Sequence, residues 1–581
     1  MKPVKLLSVF SLITLTLLGA PRGRPQTASR PLADSVVVNA KIYTVNARQP
    51  WAEALAIQGD KIIAVGTRVE IEAYRVASTH LIDAKNHLVF PGFVDCHVHF
   101  MGGSQGLSEV LLDGANSVAE IQKRVKEYAA AHPHAPWIRG SGWLYTTFGE
   151  VALPDKKFLD EIVPERPVLL SAYDGHTVWA NSKALQLAGI TRDTPDPLNG
   201  VIVHDPKTGE PTGALKEEAG RFAARVAPQP TREERLEALL RGLQEANRVG
   251  IVRVHSMGGD AEYLDLYDEL RRKGQLTVRL YISVVAQPPD LTAEQIDNIE
   301  RVRRTYHDEW VSGGGVKFRF DGVIEAHTAA MLAPYTDDPS QSGFLKWEPE
   351  KYKQAVAELD RRGVQVFTHA IGDRAIRVAL DAYENAAKVN GTKDARHRIE
   401  HIEDSSATDI PRFGPLGVIA SMQPLHAYPN DNILKVWARN VGPERAERAW
   451  AWRRIADGGG RLAFGSDWPV VTISPWPGVQ NLLTRQTTEG NPPGGWIPQM
   501  RISLPEAIEG YTLGGAIAAH REKTEGSLEV GKLADLIVVS QDLFHVEPGK
   551  MGQTEVLLTM VGGKVVHQSA NWKSIEPAKG K

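Results

Sequence analysis

The feature that most constrains the fold is a repeated alternation of short apolar runs with amphipathic stretches. The runs have the length of buried strands, and the stretches between them have helical periodicity, most clearly over Leu236–Val249 and Tyr352–Arg361. Eight strands alternating with helices predict an α/β fold, a (β/α)8 TIM barrel. We place the strands at Pro91–His99, Ile251–His255, Val278–Val285, Val316–Phe320, Val364–His369, Ile399–His401, Val418–Gln423 and Leu462–Phe464.

Side chains that bind metals stand at the carboxyl ends of several of these runs. His97 and His99 point to the same face of their strand because they are two residues apart, and two neighbouring imidazoles suit a divalent cation. Three further runs end in His369, His401 and Asp467, and Lys317 lies inside a fourth. Alone, His369 or His401 would be more typical of a core histidine hydrogen-bonded to a neighbour, and the His97/His99 pair of an ordinary surface pair. Together they predict an active site at this end of the barrel, where barrel enzymes keep their chemistry.

The two ends of the chain have a different sequence pattern from the middle. Short strand-like runs separated by glycine turns lie between Ser35 and Leu88 and again between Leu536 and Val561. We therefore predict a small β-sandwich domain composed of residues 29–90 and 525–570, with the barrel inserted at 91–524 and a tail at 571–581. Within the barrel, Gly313–Gly315 and Gly458–Gly460 are predicted to be tight turns.

The first connection of the barrel, residues 101–244, is far longer than an ordinary loop. It contains a predicted helix at Ser117–Ala131 and a strand-like run at Pro167–Ala172. Connections of this length are usually functional, and we predict a cap-like insertion over the barrel mouth. Trp143, Trp179 and Trp468 either line an apolar pocket there or belong to the core.

The amino terminus has the pattern of a secretory signal. Lys2 and Lys5 precede an apolar core at Leu6–Leu18, which predicts a signal peptide at residues 1–28 and a secreted or periplasmic protein. An uncleaved membrane anchor is the alternative; after cleavage we expect no membrane association. The single cysteine, Cys96, excludes an internal disulfide and is interpreted as a small buried hydrophobe.

Composition argues against a nucleic-acid partner, and the partner that we expect is a small-molecule substrate. The formal net charge is −3 and 24% of the residues are charged, so no basic surplus predicts a nucleic-acid partner. The sequence leaves the oligomeric state open, with a homodimer as one alternative.

Several segments resemble one known family. They are Pro91–His99, Gly140–Trp143, Asp174–His176, Pro211–Gly213, Asp321-Gly322, His369–Arg374, Glu400-His401, Gln423–His426, Gly465–Val470 and Gly531–Asp535. Over nearly all of residues 35–570 the chain resembles the amidohydrolase superfamily, and within it amidohydrolase family 3 and its YtcJ-like branch, which includes N-substituted formamide deformylase. Leu144 departs from the branch, where an acidic residue often follows Gly-Trp; this bears on substrate preference.

The resemblance implies hydrolysis of a carbon–nitrogen bond in an amide, formamide or cyclic amide by metal-activated water. It implies one or two divalent metal ions, with Zn²⁺ expected. The implied metal ligands are His97, His99 and Asp467 at one site and His369 and His401 at a second, with Lys317 bridging them if its amine is carboxylated. Asp467 would also move the proton, His426 and His176 would polarise the substrate carbonyl, and Asp95 would orient a ligand imidazole.

Each of these roles has an alternative. Lys317 could be an unmodified buried lysine paired with Asp467 or Asp321, and His176 and His426 could have packing roles. The same site could instead hydrolyse lactones or phosphotriesters. A non-catalytic metal-binding or ligand-binding protein is a third alternative, although pure binding needs no proton shuttle at Asp467.

Overall fold

A computed structural model describes residues 31–151 and 153–572. The predicted signal peptide lies outside the described residues, as do all but the first two residues of the predicted tail. Eight parallel strands form the centre, and an isolated parallel bridge between Val98 and Trp468 joins the first strand to the segment after the last. The predicted barrel is confirmed. In neighbour order its strands are Phe93–Val98, Ile251–Ser256, Arg279–Val285, Val311–Arg319, Gln365–Ala370, Arg398–His401, Ile419–Met422 and Arg461–Phe464.

Helices surround the barrel and bury one face each against it. In Arg232–Arg248, for example, Leu239 and Leu243 belong to the main apolar core, and a capping box between Thr231 and Glu234 fixes where the helix begins. None of the described helices is both long and apolar enough to cross a bilayer. The longer helices around the barrel are Phe100–Gly106, Arg232–Arg248, Leu264–Arg272, Ala293–Thr305, Pro349–Arg361, Asp373–Asn390, Trp452–Asp457, Pro475–Thr484, Leu504–Gly510 and Leu513–Ala518.

The predicted turn at Gly313–Gly315 is wrong, because these glycines lie inside the strand Val311–Arg319. A Cβ on Gly313 would lie 2.4 Å from Val302 Cγ1, and one on Gly315 would lie 2.3 Å from the Phe367 ring. The glycines therefore allow close packing around a strand rather than a change of direction. Gly458–Gly460 do precede the strand Arg461–Phe464.

Both chain ends contribute to the β-structure beside the barrel. A four-stranded sheet contains Lys61–Gly66, Ala54–Gln58, Ser35–Val38 and His80–Asp83. A six-stranded sheet contains Lys564–Gln568, Val556–Val561, Leu536–Val539, Leu88–Pro91, Lys41–Tyr43 and Trp51–Ala52. The carboxy-terminal strand Leu536–Val539 pairs antiparallel with Leu88–Pro91, and buried side chains of both sheets share one apolar cluster.

The long first connection contains a six-stranded sheet of its own. Its strands are Gly200–His204, Pro211–Glu217, Thr177–Ala180, Val168–Ala172, Ile138–Trp143 and Val110–Leu111, and its helices are Val118–Ala131, Lys157–Asp160, Ser182–Ala188 and Gly220–Val226. We call this unit the cap. Trp143 and Trp179 are buried in its core and Trp468 in the main core, so none of the three lines the cavity described below. The helix Arg232–Arg248 runs through the predicted cap boundary at residue 244 and packs on the barrel.

Candidate metal centre

Three residues from three strand ends meet in the barrel mouth. One ligand atom each of His97, His401 and Asp467 lies within 4.8 Å of the others, and all three residues are buried. His401 and Asp467 have positive φ angles of 77° and 62°, so the backbone turns sharply where each strand ends. Strained backbone of this kind persists where surrounding structure holds it, commonly at functional sites. We call these three residues the cluster.

Asp467 lies at the centre of four imidazoles. Its Oδ1 is 3.2 Å from His99 Nε2 and 3.4 Å from His97 Nε2. Its Oδ2 is 3.7 Å from His426 Nε2 and 3.8 Å from His401 Nδ1. Burial alone would raise the pKa of this carboxyl, but His97 and His99 outweigh burial and hold the pKa well below its usual range. Asp467 is therefore an ionised carboxylate at neutral pH.

The cluster fits a divalent cation. His401 Nδ1 and Asp467 Oδ1 are buried, and neither has a hydrogen-bond partner among the residues that the structure describes. Leaving such atoms unpaired is costly, and a cation would satisfy lone pairs that converge in this way. Burial, with nearby positive charge, also lowers the pKa of His97 and His401 far below the usual value, so both imidazoles are neutral, as metal ligands must be.

Glu400 orients the His97 ring, a role that its place in the Glu400-His401 segment did not predict. His97 Nδ1 is 2.7 Å from Glu400 Oε2, which leaves Nε2 free to bind metal. Arg398 Nε lies 2.9 Å from Glu400 Oε1, so the carboxylate is fixed from behind. The sequence feature that could have indicated this role is an acidic residue directly before a ligand histidine, His401, in an apolar strand.

The predicted role of Asp95 is wrong in detail. Asp95 Oδ1 accepts hydrogen bonds from the backbone N–H groups of His97 and Ser466, at 3.1 and 2.9 Å, and Oδ2 accepts one from Ser466 Oγ at 2.5 Å. Because its carboxylate reaches main-chain donors, it fixes the backbone beside His97 and Asp467 rather than an imidazole. Cys96 is buried in a small apolar cluster with Val94 and Ala463.

The other predicted ligands lie around the cluster. Lys317 Nζ is 3.2 Å from His97 Nε2, and burial lowers the pKa of this amine to about 8. His369 is adjacent to His401, with ring centroids 4.5 Å apart, but its Nε2 is 3.1 Å from the Gly322 carbonyl oxygen. His99 lies at the rim with its side chain 30% exposed. The structure therefore places all six predicted ligands in one site, three of them in the cluster.

A cavity of about 480 Å³ opens above these residues, between the barrel and the cap. His426 lies beside the cluster; its ring stacks on His401 and its Nδ1 is 3.5 Å from Glu403 Oε1. His176 comes from the cap; its Nδ1 is 3.0 Å from both Glu217 oxygens. Burial lowers the pKa of His426, but Glu403 and Asp467 outweigh it and the net shift is upward. Both histidines line the cavity, and sequence reasoning missed Glu217 and Glu403.

Comparison with known proteins decides the family. Residues 80–567 match the model of the Amidohydrolase family. The chain belongs to the amidohydrolase family. This confirms the resemblance inferred from the motifs, and together with the converging ligand atoms it supports a metal-dependent hydrolase that binds a divalent cation.

The relatives of this amidohydrolase cover nearly the whole chain. It is 33% identical to protein LONG AFTER FAR-RED 3 of Arabidopsis thaliana, with 92% of each chain covered. It is 29% identical to YtcJ of Bacillus subtilis (91% of this chain, 98% of YtcJ) and 27% identical to N-substituted formamide deformylase of Arthrobacter pascens (92% and 98%). The solved structure of an uncharacterized metal-dependent hydrolase from Pyrococcus horikoshii is 26% identical, covers 89% of this chain and 99% of that one, and superposes with a TM-score of 0.69.

Proposed function

We propose that this amidohydrolase hydrolyses a carbon–nitrogen bond of an amide, formamide or cyclic amide, with zinc as its cation. The observation that carries the proposal is the position of Asp467. This buried carboxylate lies beside the other cluster residues, and His426 Nε2 is 3.7 Å from its Oδ2 at the cavity wall. A proton acceptor thus has a second proton carrier next to it. A relative of comparable length, N-substituted formamide deformylase, is named for the same bond type.

The position of each site residue suggests whether it would bind the cation or move a proton. His97, His401 and Asp467 would hold the cation, with His99 and His369 close enough to extend the set. When bound, a divalent cation supplies Lewis-acid activation of water and of a carbonyl group. Because Asp467 is ionised at neutral pH, it can accept the proton that water loses during attack.

Amide cleavage requires protonation of the leaving nitrogen, and this requirement favours a site that contains both Asp467 and His426. An amine leaves only if its nitrogen gains a proton, whereas the alcohol of a lactone or an activated phosphotriester leaves with less help. Asp467 and His426 together can carry a proton across the site, since their facing atoms are 3.7 Å apart. His176, on the cap side of the cavity, is positioned to donate a hydrogen bond to a developing oxyanion. A protein that only bound metal would not need this pair.

We also propose that the Lys317 amine is carboxylated by CO2. The carboxylated side chain would then contribute to binding a second cation near His369. Its amine is buried against His97, and only a neutral amine reacts with CO2. A readout independent of activity tests this: ¹³C NMR of protein equilibrated with ¹³C-bicarbonate and zinc should show a bound carbamate signal that is absent from Lys317→Ala. An identical spectrum for both proteins contradicts carboxylation.

A substrate panel tests the reaction class. Protein stripped of metal and reloaded with zinc should release amine from N-formyl, N-acyl or cyclic amide substrates. Lactones and phosphotriesters form the comparison arm, measured on the same preparation. Turnover of those esters with no amine release from any amide would overturn the proposed bond specificity while leaving the metal site intact.

A further inference from the structure

The cavity over the cluster contains four cationic side chains, and three of them already have a partner. Arg221 Nε is 2.9 Å from Glu218 Oε2, and Lys346 Nζ is 2.7 Å from Glu217 Oε2. Lys317 Nζ lies against His97, as described above. The fourth cation is Arg319. Its guanidinium has no hydrogen bond and no ion pair among the residues that the structure describes, although the carboxylates of Glu218, Glu217 and Asp467 are near enough to interact with its charge.

Arg319 is also unusual in its strand. Every other residue of Val311–Arg319 is buried, apart from the half-buried Gly314, whereas Arg319 is exposed. It shares a strand face with Lys317, because residues two apart point the same way, and both side chains line the cavity. Its exposure is therefore exposure to the cavity. The backbone spacing between the two residues is about 7 Å, so a guanidinium at this position is within reach of a substrate held at the cluster.

The nearby glutamates of the cap already have direct partners other than Arg319. Glu217 accepts from Lys346 and from Thr328 Oγ1 at 2.7 Å each, and His176 Nδ1 lies 3.0 Å away. Glu218 forms an ion pair with Arg221. An arginine that lines a substrate cavity and makes no ion pair there has its N–H donors available to an incoming anion.

Arg319 lies on a definite side of the barrel mouth. A Cβ on Gly258, just beyond the strand Ile251–Ser256, would lie 3.9 Å from Arg319 Nη2. His426 and Glu403 follow the strands Ile419–Met422 and Arg398–His401, which lie on the opposite side of the eight-stranded barrel. The cavity thus has a guanidinium without an ion pair on one side and His426 with Glu403 on the other.

We propose that Arg319 is a specificity-determining residue that binds a carboxylate of the substrate, so that the preferred substrates are amides bearing a carboxylate a few bonds from the scissile carbonyl. This inference rests on the proposed amide hydrolysis and narrows its substrate class. A guanidinium binds carboxylate with two parallel charge-assisted hydrogen bonds, which fixes orientation as well as adding affinity.

Two matched substrate pairs test the proposal. N-formylphenylalanine and N-formyl-2-phenylethylamine differ only in a carboxylate on the amine side, and N-benzylsuccinamate and N-benzylbutanamide differ mainly in one on the acyl side. For at least one pair, zinc-loaded protein should have a kcat/KM about tenfold to a hundredfold higher for the carboxylate member. The pair that shows the preference identifies the side of the bond that Arg319 contacts.

Two variants separate Arg319 from the general charge of the cavity. Arg319→Met should abolish the preference, leave kcat/KM for the uncharged member within about threefold, and keep the melting temperature, because the guanidinium has no partner to leave unpaired. Arg221→Met is the matched control: its guanidinium lines the same cavity but is already paired, so the preference should persist. A preference retained by Arg319→Met, or lost equally in both variants, overturns the proposal.

Equilibrium binding distinguishes failure of this inference from failure of the proposed function. Titrating N-formylphenylalanine and N-benzylsuccinamate into metal-stripped Asp467→Asn measures affinity with both metal activation and the proton acceptor removed, and Arg319→Met is added to the same background. If no amide is hydrolysed but at least one carboxylate binds in an Arg319-dependent way, the reaction assignment is wrong and the subsite stands. If amides are hydrolysed with no preference in either pair, the subsite is wrong and the reaction stands.

Discussion

His97 Nδ1 lies 2.7 Å from Glu400 Oε2, and both side chains are completely buried. This contact fixes which ring nitrogen carries the proton, so that the lone pair of His97 Nε2 is directed toward the cluster, where Asp467 Oδ1 is 3.4 Å away. Glu400 is in turn fixed by Arg398, whose guanidinium also donates to the Cys96 carbonyl oxygen at 2.6 Å. The orientation of one ligand thus depends on a buried chain of charges beneath it.

Glu400→Gln should weaken metal binding by about tenfold to a hundredfold, because the ring of His97 loses its charged acceptor. Competition with a chromophoric chelator measures the affinity. Glu403→Gln is the matched control, since Glu403 is also buried but contacts Trp437 and His426 instead of a cluster imidazole. Equal loss of affinity in the two variants would show that the contact with His97 is not what matters.

The cluster residues should differ from the rim in their effect on metal content. His97→Ala and His401→Ala should each remove most of the bound metal, because each deletes one of three converging ligand atoms. His99→Ala should retain more metal, since His99 is part-exposed and lies outside the cluster. Elemental analysis of protein purified without chelator gives the ranking. Metal content that falls most in His99→Ala would contradict the cluster as the primary site.

Much of the fold could be predicted from sequence periodicity because the barrel strands are continuous apolar runs. His97, His401 and Asp467 lie at or just after the ends of three such runs, so predicting the strands also brings these residues together at the barrel mouth. The pattern failed at Gly313–Gly315, where tertiary packing against Val302 and Phe367 overrides the turn preference of glycine. It also could not show Glu400 or Arg319 as site residues. Their roles depend on what each side chain meets across the barrel, and that information is not local in sequence.

Asp467→Asn should lower kcat by about a hundredfold or more while metal content falls much less, since the amide keeps one oxygen ligand but cannot accept a proton. Asp404→Asn is a suitable control, because Asp404 is buried nearby but does not line the cavity. Should Asp467→Asn keep near-normal kcat with full metal occupancy, Asp467 would be a ligand only and His426 would have to move the proton.

Lys317 should make the metal-free protein less stable at neutral pH. Its pKa in the folded protein, about 8, is below the usual lysine value of 10.5, so the buried ammonium is penalised. The penalty is complete below pH 8 and disappears as pH rises toward 10.5. Lys317→Met should therefore increase the free energy of unfolding by up to about 3 kcal/mol at pH 7 and by little near pH 10.

Urea denaturation in the presence of chelator at both pH values checks the Lys317 prediction. Lys346→Met serves as the comparison, because Lys346 is ion-paired with buried Glu217 and its removal should destabilise the protein at pH 7. A pH-independent difference between wild type and Lys317→Met, or a loss of stability at pH 7, would contradict the interpretation of Lys317 as a desolvated amine.

The most direct test of the account is a zinc titration of metal-stripped wild-type protein while amine release from a hydrolysable N-formyl or N-acyl amide is followed. We expect no release without metal, and a rate that rises with added zinc and levels off at one or two equivalents per chain. His97→Ala/His401→Ala should remain inactive throughout the same titration. Equal amine release by stripped and zinc-loaded wild type would contradict metal-dependent hydrolysis at this site.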